Sequence, residues 1–359
     1  MPQAKQSINK TGAITMQAAV IRSFGGPEQI QLEEMVIPSP GPGEVLVKVL
    51  AVGVNRLDHY VRLGQIAPAL PFPHILGSDA VGEVAKLGEG VTRFALGERV
   101  ISMPGYPTDT AEASIRPVTA AASYAIPGIQ ISGTYAQYIV VPEAWLLRDT
   151  TGLPVEQVAA LPVSLLIAIR SVQIVGEVRK GDTVLIHAGA SSTGMMAIQV
   201  ARALGARVAT TVQNDASAEL VQQLGAELVI NTSEADFVEE LKKWTGGRGV
   251  DVAIDNLGGD VLSRTIDAVK PLGIIVAMGF MAGTEVSFDI RNFFFAQKQL
   301  RGTLVGDIED FAAWLDPIRD GKIKPQIDSV LPLSQAAEAH RRIASQQARG
   351  SIVLLPWQE

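Results

Sequence analysis

One short segment constrains the fold of this chain more than any other. Residues 180–194 have the pattern of a buried strand, a tight glycine-rich turn and the start of a helix, with Gly189, Ser191 and Gly194 at the three positions of G-x-G-x-x-G. Such a turn needs one small residue for the bend, a second for close approach of the backbone to a pyrophosphate, and a third where the helix packs on the strand. The helix N-terminus then faces the anion. The segment therefore predicts a dinucleotide-binding unit.

Serine stands where this pattern has its second glycine. Ser191 is still small, and its hydroxyl can donate a hydrogen bond to a phosphate oxygen, so the prediction of a dinucleotide site stands. A plain structural turn is the alternative, because the pattern alone is weak evidence. The residues expected to hold the pyrophosphate are Gly189, Ser191, Ser192, Thr193 and Gly194.

The chain around this motif alternates between strand and helix. The predicted strands are 183–187, 207–212, 228–230, 250–255 and 274–278, and the predicted helices are 193–204, 216–224, 236–244 and 261–269. Such alternation builds a parallel sheet with helices on both faces. We therefore expect an α/β fold in which residues 150–295 form a Rossmann doubly wound parallel-sheet domain of five strands.

The segment before residue 103 is different. Short β-segments at 18–21, 44–54, 81–87 and 98–102 are separated by Pro- and Gly-rich turns, which indicates a mostly β module. Residues 103–132 lack a clear periodicity and are predicted to form a surface lobe.

The last part of the chain, from Phe293 onward, has a predicted strand, two predicted helices near 309–315 and 334–344, and a final strand at 351–355. Because five strands already fill the second sheet, we expect this tail to return to the first domain. The predicted domains are 16–149 plus 296–359 and 150–295, preceded by a flexible extension at 1–15.

The composition limits the classes of function. The 359 residues are enough for two domains of ordinary size. Lys and Arg number 30 against 37 Asp and Glu, a net charge of −7 without a basic block, so nucleic acid is not an expected partner. No apolar run reaches the roughly 20 residues that span a bilayer, and the polar start lacks a signal-peptide core. We therefore expect a cytoplasmic protein that acts on a small molecule and does not bind membranes.

The end of the second predicted strand bears on the choice of cofactor. NAD-binding domains usually have an acidic residue there to hold the ribose 2′-hydroxyl, whereas this chain has Thr211, Gln213 and Asn214. NADPH is therefore favoured over NADH, with Thr211 and Asn214 as candidate contacts. Asp215 is the alternative, since a displaced turn would let it take the acidic role.

Several motifs outside the glycine-rich turn carry a family resemblance. They are YIVVP at 138–142, ALPV at 160–163, LGAE at 224–227, DVAIDNLGG at 251–259 and GSIVL at 350–354. Together with the turn, they resemble the medium-chain dehydrogenase/reductase superfamily over residues 16–355. The segments MQAAVIRSFGGP at 16–27, GVNRLDHY at 53–60 and PHILGSDAVG at 73–82 are similar to its zinc-free quinone oxidoreductase branch.

The resemblance implies an architecture and a set of site residues. The architecture is a GroES-like catalytic domain and a Rossmann domain with the cofactor in the cleft between them, usually in a homodimer. Asn55 is expected to donate to a substrate oxygen, Tyr60 to donate a hydrogen bond or a proton, and Asp58 to anchor their loop. A turn asparagine and a packed tyrosine are the alternatives. The further cofactor contacts implied by the resemblance are Asn256, Met278, Gly279, Phe280, Thr303 and Val305.

The sequence argues against zinc. The chain has no cysteine, which also excludes disulfides and thiolate nucleophiles. In the zinc-dependent relatives a cysteine stands where this chain has Asn55, a histidine where it has Ser78, and a further cysteine near Ser164. The lobe at 103–132 lies where those relatives carry a four-cysteine structural zinc. No two of the four histidines lie at close metal spacing, and His187 is expected to be a packed residue.

The predicted absence of zinc favours one class of substrate. A Lewis acid stabilises a localised alkoxide, whereas quinones and α,β-unsaturated carbonyls delocalise the charge that arrives with a hydride. We therefore expect hydride transfer from NADPH to such an acceptor. Two alternatives stay open. One is another zinc-free oxidoreductase, such as an enoyl-thioester reductase or an alcohol dehydrogenase-like enzyme, and the other is a protein that binds NADPH without turnover.

Overall fold

A computed structural model describes residues 14–67, 69–346 and 348–358 of the chain. The chain divides into two units, of which unit 1 comprises Met1–Val163, Asp307–Arg319 and Lys324–Glu359, and unit 2 comprises Ser164–Gly306 and Asp320–Ile323. Residues 1–13 of the predicted flexible extension lie outside the described residues. Thr15, which the prediction placed in that extension, already belongs to the first strand.

The first part of unit 1 consists mainly of short strands interrupted by turns. Its strands are β1 (Thr15–Ile21), β2 (Gln31–Val36), β3 (Glu44–Val54), β4 (His74–Ile75), β5 (Ala80–Leu87), β6 (Arg99–Ser102), β7 (Tyr106–Pro107), β8 (Tyr124–Ala125), β9 (Tyr138–Pro142) and β10 (Leu146–Arg148). Two short helices are α1 (Arg56–Arg62) and α2 (Val155–Ala159). β3 is the central strand, since it pairs antiparallel with both β5 and β9.

Unit 2 is a parallel sheet flanked by helices. Its strands are β11 (Thr183–Ile186), β12 (Arg207–Val212), β13 (Leu228–Asn231), β14 (Val250–Asp255), β15 (Val269–Ala277) and β16 (Gln299–Gly302). The helices along this part of the chain are α3 (Pro162–Ile169), α4 (Ser192–Ala203), α5 (Asp215–Gln223), α6 (Phe237–Trp244), α7 (Gly259–Ala268) and α8 (Ile290–Phe295), and a π-helix covers Arg170–Val175. The strand order β13-β12-β11-β14-β15-β16 is that of a Rossmann fold.

The sheet of unit 2 has six strands instead of the predicted five. β16 pairs in parallel with β15 through residues 299–302, which the prediction assigned to the other domain. The boundary between the units therefore falls after Gly306 and not at residue 295. This strand lacks the apolar run of the others because it lies at the sheet edge, where most of its residues are exposed.

The core of unit 2 is formed by its strands and helices together, as the predicted alternation of strand and helix requires. All four residues of β11 are buried, because helices cover both faces of the sheet. Leu185 of β11 and Ala253 of β14 belong to one cluster with Leu241 of α6 and Ile266 of α7. The apolar faces of these helices pack on the apolar strands, so both sequence patterns arise from the same buried core.

The end of the chain completes the sheet of unit 1. It contains α9 (Ile308–Ala312), α10 (Leu315–Arg319), β17 (Ile327–Pro332), α11 (Ala336–Ala344) and β18 (Ser351–Leu355). β18 pairs antiparallel with β3, with Ile352 opposite Val54, and β17 pairs in parallel with β18. The resulting order is β10-β6-β5-β3-β18-β17, so the end of the chain returns to unit 1, as predicted.

Residues 103–132 are partly packed into unit 1. Tyr106 is buried and stacks on Trp145, with ring centroids 6.1 Å apart. Val118 N donates to Asp307 Oδ1 at 2.6 Å, and Arg116 pairs with Glu309 at 2.5 Å. The predicted surface lobe thus packs on Trp145 of unit 1 and is bonded to the returning end of the chain.

The helices of both units are short. The longest, α4, has 12 residues. Within the described ranges, no helix combines the length and the apolar character needed to cross a membrane.

Candidate functional site

The predicted cofactor residues come from five separate stretches of unit 2. Gly189, Ser191, Ser192, Thr193 and Gly194 follow β11, Thr211 and Asn214 lie at the end of β12, Asn256 follows β14, Met278, Gly279 and Phe280 follow β15, and Thr303 and Val305 follow β16. These strands are parallel, so their carboxyl ends meet at the same edge of the sheet. That edge is where open α/β sheets bind ligands.

The two glycines of the turn have no room for a side chain. A Cβ on Gly189 would lie 2.1 Å from Thr210 Oγ1, and a Cβ on Gly194 would lie 2.3 Å from Ala188 O. The second position of the pattern is different, since Ser191 has φ −73°, which any residue adopts. The turn therefore requires glycine at its first and third positions and tolerates serine at the second.

The Ser191 hydroxyl has a role other than the predicted one. Its Oγ accepts a hydrogen bond from Gly194 N at 3.0 Å and donates to Ala188 O at 2.8 Å, so Ser191 is the N-cap of α4. A hydroxyl has a single proton, and Ser191 uses it in the hydrogen bond to Ala188 O. In this conformation Ser191 therefore shapes the helix N-terminus, and its donation to a phosphate oxygen stays a prediction.

Thr211 also supports the turn from within. Its side chain is 3% exposed, and Oγ1 accepts a hydrogen bond from Ala188 N at 3.1 Å. Gly189 N donates to Thr211 O at 2.9 Å. The sequence predicted Thr211 as a cofactor contact at the strand tip, and the structure shows that its hydroxyl is buried and fixes the backbone of the glycine-rich turn.

Asn214 and Asp215 begin the next helix. Asn214 is the N-cap of α5, and its Oδ1 accepts from Ser217 N at 3.0 Å. Asp215 is the first residue of that helix, and its Oδ1 accepts from Asn231 Nδ2 at 3.0 Å. The acidic side chain is thus exposed, beyond the strand tip, and engaged by a neighbouring amide.

His187 is packed, as the sequence predicted. It is 1% exposed, and its ring meets Phe237 edge-to-face at 4.9 Å. Burial lowers the pKa of His187 to about 4, against the opposing effect of the Asp255 charge. Sequence reasoning missed Asp255 and Thr265, two further buried polar residues beside this ring. A polar side chain on the buried face of a predicted helix was the available signal for Thr265.

One orphaned polar atom tests whether this edge fits a dinucleotide. Asn256 Oδ1 is buried and has no hydrogen-bond partner among the described residues. Buried polar atoms are nearly always paired, so an unpaired acceptor at this edge fits a bound group that donates. The backbone N–H groups at the α4 N-terminus are donors and Asn256 Oδ1 is an acceptor, a combination that suits a nicotinamide dinucleotide.

In unit 1, Asn55 is held by two buried carboxyl groups. It is half-buried, directly after β3, and its Nδ2 donates to Asp79 Oδ2 at 3.0 Å. Its backbone N–H donates to Asp58 Oδ2 at 2.8 Å. Burial raises the pKa of Asp79 well above its usual range and that of Asp58 to about 7.

Asp58 connects this loop to a chain of buried polar groups. Its Oδ2 accepts from the Tyr135 hydroxyl at 3.0 Å, and Tyr135 Oη lies 3.2 Å from His340 Nε2. Arg62 Nε donates to His340 Nδ1 at 3.1 Å. Burial and, to a smaller extent, the Arg62 cation lower the pKa of His340 to about 3, so the neutral ring accepts from the guanidinium. Asp58 thus anchors the Asn55 loop, the role expected from the sequence.

Tyr60 lies on the second turn of α1. It is half-buried, and its ring centroid is 5.8 Å from that of His59. The structure thus places Asn55 at the N-cap of α1 and Tyr60 five residues later on the same helix.

The zinc-ligand positions implied by the resemblance hold no recognisable metal centre. Ser78 Oγ is buried without a hydrogen-bond partner in the described part of the chain. Over those same residues, no group of three or more His, Cys, Asp or Glu side chains could hold a metal ion.

Two family models match this chain. The alcohol dehydrogenase GroES-like domain matches residues 41–151, and the zinc-binding dehydrogenase matches residues 192–319. The first match lies within unit 1, and the second begins with the first residue of α4.

Individual proteins match over nearly the whole length. A 2-haloacrylate reductase from Burkholderia sp is 32% identical over 355 residues, covering 95% of this chain and 99% of the relative. A quinone oxidoreductase from Pseudomonas aeruginosa is 31% identical over 343 residues, covering 93% and 98%. Among solved structures, an NAD-dependent alcohol dehydrogenase is 34% identical with a TM-score of 0.89, covering 95% of this chain and 99% of that chain.

Proposed function

This chain belongs to the medium-chain dehydrogenase/reductase superfamily and is a nicotinamide-dependent oxidoreductase, and we propose that it transfers hydride from NADPH to a quinone or an α,β-unsaturated carbonyl compound without zinc. Two of its relatives act, by name, on a quinone and on a 2-haloacrylate. Both compounds have a double bond conjugated with a carbonyl or carboxyl group. The proposal extends that shared chemistry to this chain.

The arrangement around Asn55 carries the proposal. Where zinc-dependent members of the family have a cysteine ligand, this chain has an amide that hydrogen-bonds to Asp79. An amide N–H is a donor, and a positioned donor stabilises an oxygen that gains negative charge in the transition state. Conjugated acceptors spread that charge and therefore need less stabilisation than a localised alkoxide. We assign Asn55 and Tyr60 as the donors to that oxygen.

The residues at the carboxyl edge of unit 2 are proposed to hold the cofactor. The backbone at Gly189, Ser192, Thr193 and Gly194 is assigned to the pyrophosphate because it forms the glycine-rich turn and the N-terminus of α4. Asn256 is assigned as a further cofactor contact because its buried Oδ1 has no hydrogen-bond partner among the described residues. The contacts assigned to the nicotinamide half are Met278, Gly279, Phe280, Thr303 and Val305. The cofactor supplies the hydride, and the protein positions it.

NADPH is proposed over NADH because no acidic side chain ends β12. Thr211 is buried, Asn214 caps α5, and Asp215 pairs with Asn231. Titration of the protein with each cofactor, followed by cofactor fluorescence, tests this choice. A lower dissociation constant for NADPH is expected, and a lower one for NADH would assign the ribose contact to Asp215.

A substrate panel tests the reaction class. The protein is assayed with NADPH and a metal chelator against ortho-quinones, para-quinones, alkenals, acyl thioesters and alcohols. Turnover with quinones or alkenals supports the proposal. Turnover with acyl thioesters alone indicates an enoyl-thioester reductase, and alcohol oxidation with NAD⁺ indicates an alcohol dehydrogenase, the class of one solved relative. Binding of NADPH without any turnover indicates a non-catalytic role.

We propose a homodimer formed through an apolar surface of unit 2. Phe295 is 76% exposed and Ile290 59% exposed on α8, and Leu300 of the edge strand β16 is 41% exposed. An exposed sheet edge beside apolar side chains suits pairing with a second copy about a two-fold axis. Phe295→Asp should shift sedimentation from dimer to monomer. Leu96→Asp, at a 67% exposed leucine of unit 1, is the control that should leave the mass unchanged.

A further inference from the structure

Four buried polar side chains lie together at the carboxyl edge of the unit 2 sheet. They are His187, Thr211, Asp255 and Thr265, each at most 3% exposed, and we call them the His187 network. Thr211 is the second-last residue of β12 and Asp255 the last of β14, His187 directly follows β11, and Thr265 lies on α7. Burial of polar groups costs free energy unless each is hydrogen-bonded, so these four side chains are expected to bond to one another or to the backbone.

The four side chains form one continuous series of hydrogen bonds. His187 Nδ1 lies 3.0 Å from Thr211 Oγ1, and His187 Nε2 lies 2.8 Å from Thr265 Oγ1. Thr265 Oγ1 in turn lies 3.0 Å from Asp255 Oδ2. The imidazole thus bridges two hydroxyls, one of which continues to a carboxyl group.

The protons in this series can be assigned from the chemistry of the partners. Thr265 Oγ1 is also 2.8 Å from Val261 O, and it donates its single proton to that carbonyl oxygen or to Asp255 Oδ2. The single hydroxyl proton serves those acceptors, so His187 Nε2 must be the donor to Thr265. Nδ1 then accepts from the Thr211 hydroxyl. Because burial lowers the pKa of His187 to about 4, the ring is neutral at pH 7 and carries its single proton on Nε2.

Both ends of the His187 network hold backbone groups of the proposed cofactor site. At one end Thr211 Oγ1 accepts from Ala188 N, the residue before Gly189, at 3.1 Å. Ala188 has φ 48°, a left-handed conformation that costs a non-glycine residue free energy and needs such support. At the other end Asp255 Oδ1 accepts from Leu257 N at 2.9 Å and Gly258 N at 2.7 Å.

These contacts enclose the residue with the unpaired acceptor. Asn256 lies between Asp255 and Leu257, so the carboxyl group of Asp255 fixes the backbone that directly follows it. Asp255 O also accepts from Met278 N at 2.9 Å, which joins the turn after β15 to the same residue. The glycine-rich turn and the turn carrying Asn256 are therefore linked through His187 and not through the backbone alone.

We infer that His187 is a positioning residue, which in its neutral Nε2–H tautomer sets the relative placement of the glycine-rich turn and the Asn256 turn for a bound dinucleotide. The inference rests on the proposed assignment of these turns to the cofactor. It differs from a plain packing role, because packing depends on the volume of the side chain, whereas positioning depends on its hydrogen bonds.

The decisive variants remove one hydroxyl while keeping volume. Thr265→Val removes the hydrogen bonds that join His187 to Asp255, whereas Thr265→Ser keeps the hydroxyl and removes only a methyl group. Thr183→Val is the matched control, because Thr183 is also buried in unit 2 and bonded to a carboxyl group, that of Asp251 at 2.6 Å, but at the opposite end of β11. We expect Thr265→Val to raise the NADPH dissociation constant about ten-fold or more. Thr265→Ser and Thr183→Val should stay within about three-fold of the wild type. Thermal unfolding verifies that each variant is folded.

A spectroscopic measurement tests the tautomer without any cofactor. In ¹⁵N-labelled protein the His187 signals are identified among the four histidines by their loss in His187→Gln. The wild type should show the neutral Nε2–H form at pH 7, and Thr265→Val should gain the Nδ1–H form, since Nε2–H then lacks its acceptor. A wild-type ring that is charged or protonated on Nδ1, or a Thr265→Val protein that binds NADPH as tightly as the wild type, would overturn the inference. A wild type with the expected tautomer that binds neither NADPH nor NADH would instead refute the proposed function and remove the role inferred for His187.

Discussion

The side-chain amide of Asn55 donates a hydrogen bond to the fully buried carboxyl group of Asp79 at 3.0 Å. Asp79 is itself fixed, because its Oδ1 accepts from Val163 N at 2.9 Å. The orientation of the amide is therefore set by a rigid neighbour. One N–H of Asn55 is committed to Asp79, which leaves the second N–H as the donor that Asn55 can offer to a substrate oxygen.

Replacement of Asn55 by alanine should impair turnover and spare cofactor binding. A donor to an oxygen that gains charge stabilises the transition state more than the ground state. We expect Asn55→Ala to lower kcat by roughly ten- to a thousand-fold, with an NADPH dissociation constant close to that of the wild type. Steady-state kinetics and a fluorescence titration measure the two quantities. Unchanged kcat on every accepted substrate would leave Asn55 a turn residue.

Removal of the Tyr60 hydroxyl should have a substrate-dependent effect. Tyr60→Phe is expected to lower kcat by roughly ten- to a thousand-fold for alkenals and by less for quinones, which delocalise charge well. Tyr138→Phe is a suitable control, since Tyr138 is also a half-buried tyrosine of unit 1. Equal kcat for Tyr60→Phe and the control would indicate that Tyr60 only packs.

The glycine-rich turn should respond differently at its second and third positions. Gly194→Val should abolish NADPH binding, because even a Cβ there would lie 2.3 Å from Ala188 O. Ser191→Gly should cost only a few tenths of a kcal/mol, roughly, and Ser191→Ala about 1 kcal/mol, since serine is the N-cap of α4. Calorimetric titration and thermal unfolding measure these effects. Tight NADPH binding by Gly194→Val would contradict the assignment of the turn.

The stability of the protein should depend on pH through Asp58. Burial raises the pKa of Asp58 from 3.8 to about 7, so the folded state favours the protonated form. The resulting contribution to stability is complete below pH 3.8 and is lost as the pH rises through about 7. Asp58→Asn is neutral at every pH and keeps an acceptor for Asn55 and Tyr135.

The difference between Asp58→Asn and the wild type isolates this effect. The free energy of unfolding of the variant, relative to the wild type, should increase by about 2–3 kcal/mol between pH 5 and pH 8. Urea unfolding at a series of pH values measures the difference. Asp79 is present in both proteins, but its pKa is raised by burial and also by the Asp58 charge, so the loss of that coupling is part of the measured difference. A difference that falls with rising pH would show that the charged form of Asp58 is the stabilised one.

Removal of metal ions should leave the activity unchanged. The chain has no cysteine, and the position of a zinc ligand in related enzymes is occupied by Asn55. We expect elemental analysis of the active protein to show no stoichiometric zinc, and full activity after dialysis against a chelator. About one zinc per chain, with activity lost on its removal and recovered on its return, would contradict the zinc-independent proposal.

Local patterns in the sequence determined much of unit 2 and several strands of unit 1. Strand and helix periodicities are properties of neighbouring residues, so β12 and β14 begin and end where the pattern predicted. The requirement for glycine at position 194 is equally local, because the clash arises within the turn itself. The composition alone also excludes cysteine as a metal ligand, because the chain has none.

Only the tertiary structure decided the sixth strand and the roles of the polar side chains. β16 has no apolar run, and its place in the sheet depends on pairing with β15. Thr265 meets His187 across 78 positions of the chain, and Asn55 meets Asp79 across 24. A polar side chain can bond to many groups, and the sequence does not specify which of them packing will bring within 3 Å. The partners of Ser191, Thr211 and His187 therefore follow from the fold, whereas the fold itself follows from patterns that are visible along the chain.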